Sequence, residues 1–267
     1  MDLTTDGILL IDKPTGWTSF DVVAKIRGIR KAQFKAAGIT PTKRQLRVGH
    51  AGTLDPFATG LLIILLGDAT KRSDEFLKQD KTYEATIQLG VTSTTGDPEG
   101  EITPFADVDS SLEHALRVAD ASLWRSADRD KSPVTVSRDE STSALHPDLV
   151  VIKKVLRRFT GDITQTPPIY SAIKIGGQRA YKLARKGKEV DIPSRQVTIH
   201  LIEVLDYAYP ELKIRTHVSS GTYIRSLAVD IGAALGTGAY CRQLRRTSIG
   251  DMDISSAVEM STLQPID

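Results

Sequence analysis

A chain of 267 residues that is 40% hydrophobic is long enough for one large domain or two modest ones, and its composition excludes fibrous and wholly disordered classes. The longest apolar run, at 61–66, falls far short of the roughly twenty residues needed to cross a bilayer, and the N-terminus, with Asp2 and Asp6, lacks the cationic start of a secretory signal, so a cytoplasmic protein is expected. A single cysteine, Cys241, excludes an internal disulfide, scattered histidines argue against a zinc site, and the net charge of +2 is too small to identify a partner by itself.

In chain order, residues 7–12 form a short apolar run ended by Asp12-Lys-Pro-Thr-Gly16, which predicts a strand entering a turn. Thr18 or Ser19 then caps a helix over about 19–30, with Phe20, Val22, Val23 and Ile26 at helical spacing and Asp21 complementing the dipole of its first turn. Residues 31–46 lose this pattern and read as an irregular connector. No acidic residue occurs between Asp21 and Asp55, while Lys25, Arg27, Arg30, Lys31, Lys35, Lys43, Arg44 and Arg47 make a one-signed block that suits a polyanionic partner.

That block runs into Arg47-Val-Gly-His-Ala-Gly-Thr-Leu-Asp-Pro-Phe-Ala-Thr-Gly60. Its glycines allow tight turns and close approach to a ligand, and Pro56 drives Asp55 out of helical angles, so the carboxylate is displayed just before a segment that must be buried. On the dipeptide alone a plain Asp-Pro turn is the simpler reading. The run at 61–66 fits a buried strand better than a helix. Gly67-Asp-Ala-Thr-Lys71 lacks the spacing of a nucleotide-binding phosphate loop.

Residues 81–89 alternate cleanly, with Tyr83, Ala85, Ile87 and Leu89 on one face, and give the clearest strand pattern. Turn chemistry fills 94–100. Residues from about 105 to 149 are polar and read as an insertion, with a short helix near 112–123 and an exposed loop at 132–143. An amphipathic helix follows over about 151–159, ended by Gly161. Two prolines keep 165–174 extended, which places Tyr170 and Lys174 on an extended segment. A short helix at 180–185, strands at 196–204 and 212–218, a glycine turn and a helix complete the pattern, with Tyr223 and Arg225 at the strand-to-helix junction. Arg242, Arg245 and Arg246 form a second basic cluster.

Taken in order, Leu-Leu-Ile-Asp-Lys-Pro-x-Gly-x-Thr-Ser, Gly-His-Ala-Gly-Thr-Leu-Asp-Pro-x-Ala-Thr-Gly, Lys-Thr-Tyr-Glu-Ala, Pro-Pro-x-Tyr-Ser-Ala-x-Lys and Gly-Thr-Tyr-Ile-Arg closely resemble the TruB family of tRNA pseudouridine synthases. The resemblance covers most of the chain outside 31–46 and 105–149. It implies an α+β fold with a mixed, mostly antiparallel central sheet, flanking helices and a central catalytic cleft. The implied activity is isomerisation of a uridine in the TΨC loop of tRNA to pseudouridine, with no metal and no redox cofactor, by a monomer.

By matched position Asp55 is the essential aspartate. Whether it attacks C1′, attacks the base or removes a C2′ proton is left open by the residues. Arg225 matches the arginine that pairs with that aspartate, and Tyr83 matches the tyrosine that stacks on the flipped base. His50 matches the residue that fills the vacated place in the RNA loop; Tyr223 and Leu244 match substrate-lining positions. Lys71, Lys174 and Tyr170 are further candidate substrate contacts. Many relatives carry a C-terminal PUA-type module, but this chain ends about twenty residues past Arg246, so one catalytic domain over 1–267 without that module is expected. The competing expectations are an RNA-binding or RNA-folding protein on the same scaffold, and a synthase acting on another structured RNA.

Overall fold

In a computed structural model, which describes residues 1–105, 137–139, 142–171, 174–175, 178–179 and 192–263, the first apolar run forms strand β1 (Gly7–Lys13). Helix α1 (Ser19–Ala36) follows, its start fixed by a capping box in which the Thr18 hydroxyl accepts from the Asp21 N–H and the Asp21 carboxylate accepts from the Thr18 N–H. The helix runs six residues past the expected end at 30, because its apolar face continues: Gln33 and Phe34 are buried, and the Gln33 amide donates to Met1 O and accepts from Leu3 N. The connector expected at 31–46 is therefore shorter.

By contacts the chain forms two units, one of Met1–Glu84, Ser219–Gly221 and Leu244–Asp267, the other of Ala85–Val218 and Thr222–Gln243. In the first, β1 pairs antiparallel with β3 (Thr59–Leu66), which also carries the short β2 (Val48–Ala51). Apolar side chains occur at every position from 61 to 66 because β3 is covered on both faces. Leu62, Ile64 and Leu66 pack with Val22, Val23, Ile26 and Ile29 of α1, whereas Leu61, Ile63 and Leu65 pack with Phe76 and Ile249. Phe76 belongs to the short helix α2 (Ser73–Leu77), which leads into β4 (Lys81–Leu89). From the C-terminal part come the end of β14 (Ala239–Ile249), parallel to β3, then β15 (Met252–Asp253) on β14 and β16 (Val258–Glu259) parallel to β1. Both senses of pairing occur, as a mixed sheet requires.

The second unit takes the rest of β4 and the start of β14. Its strand order is β4, β13 (Glu211–Val218), β12 (Arg195–Ala208), β9 (Gly161–Gln165), with β12 antiparallel to both neighbours. Strands β5 (Val91–Ser93) and β6 (Ile102–Pro104) make one hairpin, and β10 (Lys174–Ile175) with β11 (Gln178–Arg179) another. Helix α3 (Leu149–Arg157), capped by Asp148, contacts α4 (Ile224–Leu235), which ends at Gly236 in the left-handed conformation. Cys241 is buried, as expected of a small apolar side chain. The loop expected at 132–143 is in its described part a hairpin of β7 (Ser137–Asp139) and β8 (Thr142–His146). The helices expected at 112–123 and 180–185 lie outside the described residues. Among the described residues no helix is long and apolar enough to cross a membrane.

Candidate active site

The loop from β2 to β3 carries Asp55, half-buried, at the first position of a β-turn closed by the Ala58 N–H to Asp55 O bond of 3.1 Å. Pro56 occupies the second position, where its fixed φ favours the turn. The turn is tied to the segment after β1. Lys13, fully buried, donates through Nζ to Pro14 O (2.9 Å), Trp17 O (2.6 Å) and Pro56 O (3.3 Å). Gly16 N–H donates to the same Pro56 carbonyl at 2.8 Å, and Thr15 Oγ1 donates to Phe57 O at 3.3 Å. An aspartate that reads as a bare turn in sequence is thus held by backbone and side chains from 40 residues upstream.

The other candidates of the first unit are spread over its elements. His50, half-buried, sits in β2 opposite Ile64. Tyr83 in β4 and Leu244 in β14 are each 8% exposed. β4 and β14 are neighbours whose side-chain bonds, Thr247 Oγ1 to Thr82 O and Thr86 Oγ1 to Gln243 Oε1, run in opposite senses, as in an antiparallel pair. Lys71, in a 3-10 turn over Gly67–Arg72, is exposed and lies 3.3 Å from Asp68.

The second unit holds Arg225 in the first turn of α4. Its guanidinium is 4% exposed and forms a 2.7 Å ion pair with Asp97, itself 3% exposed. Nη1 also donates to Thr95 O at 3.2 Å and Nη2 to Tyr170 O at 2.8 Å. Asp97 accepts further from Thr95 Oγ1 at 2.5 Å and the Glu99 N–H at 3.0 Å, so the buried carboxylate is well supplied with donors. Tyr170 contributes its carbonyl here and as a residue is 40% exposed. Tyr223 precedes α4, and its backbone is clamped by the buried Gln165 amide, which accepts from Tyr223 N (2.8 Å) and donates to Tyr223 O (3.0 Å). The Arg195 guanidinium stands 4.7 Å from the Tyr223 ring centre, within cation–π range. Lys174 begins β10.

Asp97 and Gln165 were not singled out by sequence. The signal for Asp97 was present: Thr95-Gly-Asp-Pro98 repeats the Thr-x-Asp-Pro pattern of Thr53-Leu-Asp-Pro56.

Two expectations about charge are corrected. Arg30 is fully buried, pairs with Asp6 at 2.9 Å and donates to the carbonyls of Leu3, Thr5 and Gln45, so it is a structural hub rather than part of a basic face. The cluster of Arg242, Arg245 and Arg246 is also divided. Arg245 and Arg246 are neighbours in a strand and point to opposite faces: Arg246 is 1% exposed, while Arg245 pairs with Asp12 at 2.6 Å. Arg242, exposed nearer the start of the strand, pairs with Glu211. Lys31, Lys35 and Lys43 remain exposed.

Comparison with known proteins gives concordant matches. Residues 40–123 and 118–224 match the family model of the TruB family pseudouridylate synthase N-terminal domain, and 225–266 match that of the tRNA pseudouridylate synthase B C-terminal domain. The chain is 41% identical to tRNA pseudouridine synthase B of Dechloromonas aromatica over 98% of its own length and 71% of the relative's. It is also 41% identical to the protein of that name from Parabacteroides distasonis, over 95% of this chain and 90% of the relative. Among solved structures, a chain of a crystallised Cbf5-Nop10-Gar1 complex superposes with a TM-score of 0.60 at 26% identity, covering 98% of this chain. This chain spans about half of that one, 54%.

Proposed function

The chain belongs to the TruB family of pseudouridylate synthases, and on that premise we propose that it isomerises a uridine in the TΨC loop of tRNA to pseudouridine. The observation that carries the reading is 41% identity along 98% of the chain to a relative named tRNA pseudouridine synthase B. The reaction breaks the C1′–N1 bond, turns the uracil and joins C1′ to C5; the C5 proton leaves to solvent and N1 takes one up, so the product is an isomer of the substrate. It needs a group that acts at the sugar or base and then withdraws.

Asp55 takes that role in this proposal. Its turn displays the carboxylate, and Arg225 is taken as the cation that serves the same chemistry, by its match to the family's arginine. Tyr83 serves as the platform for a uracil taken out of the loop stack, since stacking on an aromatic ring compensates the extruded base. His50 occupies the space the base leaves, and Tyr223 and Leu244 line the substrate. Lys71, Lys174 and Tyr170 contact the RNA at its edge.

Incubating the purified chain with an unmodified tRNA transcript and mapping pseudouridine by position tests the reading. One new pseudouridine in the TΨC loop is expected. A product confined to another loop, or none, contradicts it.

A further inference from the structure

We propose that Arg246 and Ser19 are positioning residues for Asp55: two buried side chains that hold its loop at both ends and beside the carboxylate itself. The inference rests on the role given to Asp55 above and adds the means by which the fold keeps that residue in place.

Arg246 closes the loop. Its Nε–H donates to Leu61 O at 2.8 Å and its Nη2 to Gly52 O at 3.0 Å, so one guanidinium joins the residues where the loop leaves β2 and enters β3, with Asp55 between them. The planar fork of donors reaches two carbonyls at once, which a lysine ammonium does less well. Gly60 lies opposite Arg246 in the parallel β3–β14 register and has φ of +102°; a Cβ there would come within 2.3 Å of the Arg246 carbonyl oxygen. Gly52 has φ of +92°, and a Cβ there would sit 3.4 Å from Nη1. The Gly60 contact is with the backbone of residue 246, so that glycine serves the close strand pairing, and Gly52 is called for by its positive φ.

Ser19 acts at the centre. It is 2% exposed, and its Oγ accepts from Leu54 N at 2.9 Å while donating to Leu54 O at 3.1 Å. Leu54 immediately precedes Asp55, and Pro56 immediately follows with its carbonyl held by Lys13 and Gly16. The peptide group before Asp55 is therefore held by Ser19 and the one after Pro56 by Lys13 and Gly16, while the Asp55 carbonyl itself accepts from Ala58 N–H. Both Arg246 partners are backbone carbonyls, and a cation buried in that way is costly to fold. An apolar side chain would fill the same space but would leave the ends of the loop unjoined.

The test uses Arg246→Lys and Ser19→Ala in the full chain, with three measurements: tRNA affinity, the single-turnover rate of tritium release from uridine C5, and hydrogen exchange across 52–61. Since displacing a reacting group by about 1 Å costs on the order of 100-fold, Arg246→Lys is expected to slow turnover by roughly 10- to 100-fold with affinity changed less than about threefold. Ser19→Ala is expected to do the same to a smaller degree. Exchange is expected to rise within 52–61 and stay level in β12 and α3. An unchanged rate in both variants overturns the proposal, as does exchange that rises throughout the chain alongside a parallel loss of affinity, which marks a merely structural role. Should Arg246→Lys fail to fold, Ser19→Ala decides by the same readouts. A wild-type chain that binds tRNA but makes no pseudouridine refutes the functional reading instead; the exchange comparison then decides separately whether the two side chains hold the loop.

Discussion

Asp97 and Arg225 make a buried ion pair at 2.7 Å in which each group has further hydrogen-bond partners. Such a pair is weak evidence of net stability, but removing one member leaves the other charge buried and uncompensated. Asp97→Asn is accordingly expected to lower the unfolding free energy by about 3 kcal/mol, measured in urea, and to slow turnover because Arg225 loses an anchor. Unfolding at the wild-type midpoint would contradict the account of Arg225. The turn at Asp55 was legible from local pattern, an Asp-Pro step between glycines ahead of a buried run, while the role proposed for its carboxylate came from the family resemblance. Asp97 has the same local pattern, but its meaning comes from an arginine 128 residues away, a separation no window of sequence spans. Arg246 was misread for a related reason. It stands in a basic cluster in the sequence, whereas its guanidinium is buried on the carbonyls of Leu61 and of Gly52, the latter 194 residues upstream.

Elements with a strong period were readable, and their ends were not. The strand at 81–89 and the buried strand at 61–66 follow from alternation and from two-sided burial, respectively. The end of α1 at Ala36 depended instead on a polar residue, Gln33, finding Met1 O and Leu3 N as partners, which no apolar pattern announces. Strand β14 gave little signal because charged and apolar residues mix along it as it passes from one unit to the other. Lys81, at the start of β4, carries a prediction at this scale. Its Nζ donates to Phe76 O and Leu77 O at the C-terminal end of α2, and burial, reinforced by the nearby charge of Arg246, pushes its amine down to about 8 from 10.5. Between pH 8 and 10.5 the unfolded chain then holds a proton that the folded chain has released, so stability rises with pH through that window. The carbonyl partners oppose part of this by favouring the ammonium, which leaves a rise on the order of 1–3 kcal/mol. In Lys81→Met the rise should be smaller by that amount; equal pH dependence of the urea midpoints in both proteins would exclude Lys81 as its source.

At the scale of the whole molecule, family membership was legible because short motifs recur in order from β1 to α4, and the comparisons place that order along nearly the entire chain. The distribution of usable charge was not, since Arg30 and Arg246 turn inward and Arg44 and Arg245 pair with acids. What remains exposed on the basic segment includes Lys31, Lys35 and Lys43. If these meet tRNA phosphates, replacing all three by Gln should reduce the slope of log affinity against log salt by about 2 to 3, with the rate of bound substrate unaltered. An unchanged slope would remove this face from the RNA contact. The central claim, that Asp55 is the carboxylate of an RNA isomerase, is tested most directly by single-turnover pseudouridine formation in an unmodified tRNA transcript, comparing the wild-type chain with Asp55→Asn at saturating protein. The account predicts conversion in the TΨC loop by the wild type and none by the variant, with tRNA binding retained; conversion by Asp55→Asn at the wild-type rate would contradict it.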